Sequence, residues 1–243
     1  MGSGDTMTTD LERIRTDIER RGISRLCHFT QSRKLHHILA ETHAILPTAD
    51  LQRAHPDLLD VTDHKRLDGH LDHVCCSLEY PNVWYFDRVR DRYPNFEGWV
   101  ILAIAPQIIW ERQALFCPRN AATANGAMLR SGWVGWQALF APLITGAGGV
   151  YRRTPQYPLA CPTDCQAEVL IPGPIPLPAI SAIIVPSREA LEQEWARLRA
   201  LDLRVDVEWR VAPGLFRRDY RTHLEQGRRP EEIVVYEQGK DRR

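Results

Sequence analysis

The sequence predicts an α+β protein built on an antiparallel sheet. Strand-like segments outnumber helical ones, and they do not alternate regularly with helices as a doubly wound parallel sheet requires. The clearest strand is the apolar run GWVILAIAP at 98–106, which Pro106 ends. With 243 residues and a hydrophobic fraction of 44%, the chain is long enough to bury the core of one domain.

The first elements follow from hydrophobic spacing. Residues 8–21 place apolar side chains at helical intervals after a Thr-Thr-Asp cap, which predicts an amphipathic helix. The segment 25–30 is predicted to be a strand, and a second helical pattern follows at 35–39. The stretch 47–70 is polar, and we expect it to be irregular.

Strand patterns bounded by turn residues recur through the rest of the chain. Helices are predicted after the Pro-Asn turn at 81–82 and after the cap residue Ser187. Between Arg112 and Thr163 the chain is mostly loop and short helix, a long insertion of the kind that carries function in compact domains. The further predicted strands are 73–80, 165–171, 179–186 and 204–211.

These elements indicate one domain at 7–225. Residues 1–6 (MGSGDT) have the composition of a flexible leader. Residues 226–243 form a charged C-terminal tail, in which EEIVVYE at 231–237 has the composition of an edge strand.

Charge and composition exclude several classes of protein. The 31 basic and 31 acidic side chains cancel, so no net field indicates a nucleic-acid or membrane partner. No apolar stretch reaches the roughly 18 residues of a transmembrane helix and no secretory signal is found, so we expect a cytoplasmic protein without a membrane partner. The six cysteines are too scattered for a disulfide scaffold, and we expect reduced thiols.

One segment is nevertheless locally basic. From Arg112 to Thr163 there is no acidic residue, and arginines are interleaved with aromatic side chains. Aromatic rings stack on bases and arginines bind phosphates, so this composition suits single-stranded nucleic acid. The alternative is that the tryptophans belong to the core beneath a solvated loop. The candidate nucleic-acid contacts are Arg130, Trp133, Trp136, Tyr151, Arg152 and Arg153.

A carboxylate in an apolar strand and a histidine at a strand end are the candidates for chemistry. Glu168 lies in QAEVLI, where it is either a surface residue or a site carboxylate held by the sheet. His28 precedes a helix start, where hydroxyl and backbone groups bind ligands readily, although a structural role is equally compatible with its position. The histidines and aspartates at 63–73 match no zinc-module spacing, and no dinucleotide-fold, P-loop, hydrolase or zincin motif is present.

In their order along the chain, four segments resemble the DarT family of bacterial NAD-dependent DNA ADP-ribosyltransferase toxins. Two departures stand out: Lys34 lies where the family often has an asparagine, and the Cys-Cys-Ser-Leu strand differs from the aromatic-rich version of the thymine-modifying branch. The four segments are LCHFTQSRKLHHIL (26–39), RLDGHLDHVCCSLEYPNVWYF (66–86), GWVILAIAPQIIWERQALFCPRNAA (98–122) and PTDCQAEVLI (162–171).

The resemblance implies an ADP-ribosyltransferase fold with a split pair of antiparallel sheets, flanking helices and a long substrate loop. It implies NAD in the cleft as the ADP-ribose donor, no metal, and transfer to a nucleobase of single-stranded DNA with release of nicotinamide. A macrodomain antitoxin is the implied partner. Glu168 and Arg66 are the implied catalytic residues. The implied cofactor contacts are His28, Thr30, Ser77, Tyr80 and Asn120.

Three alternatives remain open from the sequence. The acceptor is RNA or a protein side chain in the first, and in the second the chain is a non-catalytic nucleic-acid-binding module of the same fold. In the third, the histidines and aspartates at 63–73 form a metal-dependent nuclease site.

Overall fold

The strands of the chain are short, and most of them belong to one sheet. The computed structural model describes residues 3–56, 67–96, 98–146, 149–203 and 205–236. Within these ranges the strands are β1 (Leu26–Gln31), β2 (Ala44–Ile45), β3 (His73–Leu78), β4 (Trp99–Ile104), β5 (Leu115–Cys117), β6 (Leu143–Gly146), β7 (Gly149–Arg152), β8 (Glu168–Pro172), β9 (Ile175–Pro176), β10 (Ile180–Val185), β11 (Glu208–Val211) and β12 (Ile233–Val235).

Helices flank this sheet. None of them, in the described ranges, is both long and apolar enough to cross a membrane. A π-helix spans His37–Glu41, and 3₁₀ turns lie at Ser32–Lys34, Thr123–Gly126, Leu177–Ala179 and Pro213–Phe216. The α-helices are α1 (Ser3–Arg21), α2 (Thr48–Ala54), α3 (Val83–Arg92), α4 (Ile108–Glu111), α5 (Gly132–Ala138), α6 (Arg188–Ala200) and α7 (Tyr220–Glu225).

Eight strands form the main sheet in the order β12-β11-β10-β4-β1-β3-β8-β5. Every neighbouring pair is antiparallel except β10 and β11. Two smaller pairs, β2 with β9 and β6 with β7, lie outside it. This architecture confirms the predicted α+β class with an antiparallel core and flanking helices.

The sheet divides between β1 and β3. Strand β1 pairs with β4 along all its residues, but it pairs with β3 only through Leu26 with Leu78 and Cys27 with Ser77. Beyond that point the His28 side chain bonds to the other strand, because its Nδ1 lies 3.0 Å from the carbonyl oxygen of Cys75. A carbonyl only accepts, so Nδ1 carries the proton. The imidazole therefore takes the place of a backbone ladder bond, and the cleft begins here.

Apolar side chains cover both faces of the sheet because residues of a strand alternate between its faces. On β4, Val100, Leu102 and Ile104 join the larger core, which also contains Ile14 and Ile18 of α1. The intervening Ile101 and Ala103 join a second core on the opposite face. The apolar spacing that predicted α1 is thus explained by its packing on the sheet.

Several predicted boundaries move. Helix α1 begins at Ser3, inside the segment interpreted as a leader. The second helical pattern forms a 3₁₀ turn and the π-helix, and the stretch expected to be irregular contains α2. Ser187 caps α6 as predicted, because its hydroxyl accepts the Ala190 N–H. The turn predicted at 81–82 also supplies a cap, since Asn82 Oδ1 accepts the Tyr85 N–H.

The sheet extends past residue 225, where the tail was expected to begin. Strand β12 pairs with β11 at the edge, and a nearby carboxylate, Glu232, forms an ion pair with Arg25 at 2.5 Å. The Arg25 side chain is only 4% exposed, so its charge depends on this partner. Burial raises the pKa of Glu232, but its hydrogen bond with Arg25 and the charges of Arg25 and Arg210 outweigh burial and lower the pKa overall.

We predict that Glu232→Gln lowers the free energy of unfolding by about 3 kcal/mol at neutral pH, because Arg25 keeps a buried charge without a carboxylate. The folded pKa of Glu232 is lowered, so its contribution is complete above the unfolded pKa and is lost as the pH falls through the folded pKa. The difference between wild type and variant should therefore shrink in acid. Urea denaturation at pH 7 and in acid measures both effects.

Glu19→Gln is the matched control, because Glu19 is 67% exposed in its ion pair with Arg15 and should contribute less than about 1 kcal/mol. Equal losses in the two variants would contradict the assigned role of Glu232.

Candidate active site

A cavity of about 200 Å³ opens where β1 and β3 separate. Its walls come from both strands, from the π-helix, from the β2 to α2 region and from the turn after β5. Five of the predicted site residues line this cavity: His28, Thr30, Ser77, Asn120 and Glu168. These residues are far apart in the sequence, so the split sheet is what brings them together.

Glu168 is held through both carboxylate oxygens. It is the first residue of β8, and it lies opposite Cys117 at the end of β5. The side-chain amide of Asn120 donates to Oε1 at 2.9 Å, and the backbone N–H of Ala121 donates to Oε2 at 3.0 Å. Two donors from one turn fix the orientation of the carboxylate before any ligand arrives.

The turn that holds Glu168 is itself fixed. Asn120 Oδ1 accepts the N–H of Ala122 at 3.1 Å, so the amide group can present only its NH₂ to Glu168. Further along, Gly126 has a φ of 79°, and a Cβ there would lie 2.5 Å from the carbonyl oxygen of Asp68. Glycine thus permits the close approach of this turn to Asp68, which also lines the cavity.

The thiols around Glu168 are neutral side chains. Burial is the main cause that raises the pKa of Cys117 to about 11, and the charge of Glu168 adds to it. Burial and the neighbouring Cys27 and Glu168 also raise the pKa of Cys76. A thiol must ionise to act as a nucleophile or a metal ligand, so neither cysteine is suited to that role near neutral pH.

Asn82 is a cavity residue that the sequence analysis missed. It is 4% exposed, and its backbone N–H donates to the Ser77 hydroxyl at 3.1 Å. Its Oδ1 caps α3, while its Nδ2 is buried and has no hydrogen-bond partner among the described residues. A buried amide donor without a protein partner is costly, so this position suits an oxygen of a ligand or of water. The Pro-Asn pair before α3 was the available signal, but it predicted only a turn.

Comparison with known proteins identifies the family. The family model described as "ssDNA thymidine ADP-ribosyltransferase, DarT" matches residues 27–217, which is most of the chain. The chain belongs to the DarT family. The predicted NAD-dependent ADP-ribosyltransferase class and the single-stranded DNA acceptor are thereby confirmed. A comparison with curated proteins gave no significant match.

Solved structures show the same fold at low identity. The DarT of Thermus sp. 2.9 in complex with ADP-ribosylated ssDNA aligns with a TM-score of 0.55 at 15% identity, covering 81% of this chain and 97% of that one. The same protein in complex with NAD⁺ gives a TM-score of 0.54 at 15% identity, with coverages of 80% and 98%. Thermosipho africanus DarTG in complex with ADP-ribose gives 0.51 at 15% identity, covering 79% of this chain and 51% of that one.

Two of the predicted DarT site residues need separate mention, because one is outside the described residues and the other lies away from the cavity. Arg66 lies outside the described residues, so its role stays a prediction. Tyr80 packs beside Tyr220 and under the Arg25 guanidinium, and it lines a separate small cavity. The chain turns at Glu79, whose φ is 63°, and this turn takes Tyr80 out of the strand alternation. Its assignment to the cofactor pocket is corrected accordingly.

Most of the candidate nucleic-acid residues have structural contacts. Trp136 is fully buried, and its indole N–H donates to Asp17 at 2.8 Å, so it is a core residue and not a base-stacking one. Trp133 is half-buried against the same core. Arg153 is half-buried and donates to the carbonyl oxygens of Cys161 and Pro158, and its role as a phosphate contact stays a prediction.

Three candidates remain accessible. Arg130 is exposed although its guanidinium donates to two nearby carbonyls, Arg152 is exposed on β7, and Tyr151 is half-buried beside it. The hairpin of β6 and β7 that carries the last two packs over a buried ion pair of Arg119 with Asp164. A Cβ at Gly146 would overlap the Arg119 guanidinium, so the hairpin backbone lies directly on it.

We predict that Trp136→Phe lowers the free energy of unfolding by about 2 kcal/mol, because it leaves a void and removes a donor from Asp17. Trp84→Phe is the matched control, since Trp84 is 45% exposed and its loss should change stability by less than about 0.5 kcal/mol. Urea denaturation followed by circular dichroism measures both. An unchanged stability in the Trp136 variant, with weaker DNA binding, would restore the base-stacking hypothesis.

Proposed function

We propose that the cavity binds NAD⁺ and that Glu168 is the catalytic carboxylate for transfer of ADP-ribose to a thymine of single-stranded DNA. The observation that carries this assignment is the fixed Glu168 carboxylate, held by Asn120 and Ala121 on the wall of a cleft in the sheet. The proposal thus assigns the reaction of the family to particular residues of this chain.

Transfer of ADP-ribose requires a carboxylate near the reacting ribose carbon. The bond between ribose C1′ and the nicotinamide nitrogen breaks, nicotinamide leaves with the electron pair, and positive charge develops on the ribose. A fixed carboxylate stabilises that charge without reorganising. A new bond then forms between C1′ and a ring nitrogen of the base, whose proton passes to Glu168 as general base. No other reactant is required for this balance.

The rest of the cavity suits the dinucleotide. Asn82 Nδ2 supplies a buried donor for an oxygen of the nicotinamide half of NAD⁺. Asn82 lies near Glu168 because its backbone N–H bonds to Ser77. Ser77 lies opposite Glu168 when the pairing of β3 with β8 is extended by one residue. The rings of Phe29 and Tyr85 line the cavity 5.9 Å apart between their centroids, and such rings attract a flat cation. Lys34 provides a cation for phosphate, and we infer the same role for Arg66.

Arg130, Tyr151 and Arg152 are the side chains that we infer to contact the DNA strand, because they combine charge and a ring on the accessible side of the basic segment. A macrodomain antitoxin is the partner that we infer for such an activity, and the cytoplasm is its expected location. Acceptors other than DNA, and a silent binding module, are outcomes that the next experiment separates.

We predict that Glu168→Gln lowers ADP-ribosyl transfer at least about 100-fold while NAD⁺ binding persists, because the amide keeps the shape but loses the charge. The assay incubates the protein with NAD⁺ and, in turn, single-stranded DNA oligonucleotides of defined base content, matching RNA oligonucleotides and a panel of acceptor proteins, and it measures the mass gain of one ADP-ribose. Glu111→Gln, in an exposed position on α4, is the control and should retain full transfer.

A gain confined to thymine-containing DNA supports the proposal. Transfer to RNA or protein alone would redirect it to another acceptor, and strand binding without consumption of NAD⁺ would favour the silent module. Full activity in the Glu168 variant would remove Glu168 from the mechanism.

We predict that Asn82→Asp raises the KM for NAD⁺ about tenfold, because the variant loses the donor for the ligand oxygen. The cap of α3 should remain, since aspartate also caps helices well, while the buried carboxylate oxygen should lower stability. KM values are measured by nicotinamide release, and melting is followed in parallel. Asn95→Asp, at an exposed position, controls for the added charge. A lower melting temperature with an unchanged KM would mean that Asn82 serves only the fold.

A further inference from the structure

The π-helix next to the cavity gathers three metal-binding side chains. The potential ligand atoms of His36, His37 and Glu41 all lie within 4.8 Å of one another. His37 Nδ1 donates a hydrogen bond to Glu41 Oε2 at 2.6 Å through a proton that a bound ion would replace, and His36 Nε2 is 3.8 Å from Glu41 Oε1. A tetrahedral zinc ion with bonds near 2.1 Å separates its ligands by about 3.4 Å, so the observed distances bracket the required one.

The helix type explains why these residues meet. The N–H of Thr42 bonds to the carbonyl of His37, five residues earlier, at 2.8 Å. This wider turn brings residue 41 back beneath residue 36, which an α-helix would place on a different face. The rings of His36 and His37 accordingly lie 3.6 Å apart between centroids. Single π-turns of this kind are frequent at functional sites.

Hydrogen bonding prepares His36 as a ligand. Its Nδ1 lies 2.9 Å from the carbonyl oxygen of Arg33, which only accepts, so Nδ1 carries the proton. In the neutral ring the lone pair then lies on Nε2, the atom that faces Glu41. A backbone carbonyl on the second ring nitrogen is the usual support of a metal-bound histidine. The nearby Arg33 guanidinium is engaged by Gln31 and the ring of Phe96.

We propose that His36, His37 and Glu41 bind a divalent transition ion of the zinc class. Two imidazoles and one carboxylate are ligands that zinc accepts, and a fourth position stays available to water. His37 also lines the cavity, whereas His36 does not, so the ion would bind on the outer side of the cavity wall. The inference is independent of the proposed function.

A second cluster provides the internal comparison. His70, Asp72 and His73 also place their ligand atoms within 4.8 Å of one another. Asp72 is 75% exposed there, and the three residues lie in a non-helical segment that ends at the first residue of β3, so no turn of helix holds the three ligands. We therefore expect the π-helix cluster to bind the ion more tightly.

The test is equilibrium dialysis of the full chain against Zn²⁺, with metal analysis of the protein. We expect one ion per chain at the tight site, and at least tenfold weaker binding in both His36→Ala and Glu41→Gln. His70→Ala should bind as the wild type does. Circular dichroism confirms that each variant is folded, and visible absorption of bound Co²⁺ reports the coordination geometry independently.

Three results would overturn the proposal. These are retention of no ion by the wild type, equal retention by the wild type and the two folded π-helix variants, and loss of the ion in His70→Ala instead. Transfer activity is not a readout of this experiment, so its outcome is separate from that of the Glu168 assay.

Discussion

The bond from His28 to the Cys75 carbonyl is the interaction on which the site depends. Strand β1 is fully paired with β4 on one side, so its other edge must either continue the ladder with β3 or open. The His28 imidazole donates to the Cys75 carbonyl oxygen, which a backbone N–H would otherwise bond. The two halves of the sheet can therefore separate while that oxygen keeps a hydrogen bond. The cavity and its wall residues follow from this one substitution of side chain for backbone.

Strand periodicity and local turn chemistry made much of the fold predictable. The apolar run of β4 and the cap residue Ser187 are local signals, and both were interpreted correctly. Glu168 was predicted as a site residue because a carboxylate in an apolar strand is unusual and because four ordered segments resembled a family, and it lines the cavity. The hydrogen-bond partners of Glu168 were harder to predict from the sequence, since the bond from Asn120 joins residues 48 positions apart.

Burial accounts for most of what the sequence could not indicate. Arginines and aromatic residues between 112 and 163 suggest a nucleic-acid surface, yet Trp136 faces Asp17 and Arg119 faces Asp164 inside the protein. Asp164 lies just outside the segment 112–163, so that segment considered alone contains no acidic partner for Arg119. Asn82 illustrates the opposite case, because one of its polar atoms caps a helix and the other is buried without a partner. The sequence predicts the turn that contains Asn82 but neither of these roles.

The ion pair of Arg25 and Glu232 also has a consequence for synthesis on the ribosome. Arg25 immediately precedes β1, while Glu232 lies 207 positions further along the chain, so the strand that carries His28 lacks this support until residue 232 has been made. Until β12 emerges, the edge of β11 is open as well, and an open edge invites wrong pairing. The order of translation therefore delays completion of the sheet, and of the cavity that opens within it, until β12 has emerged from the ribosome.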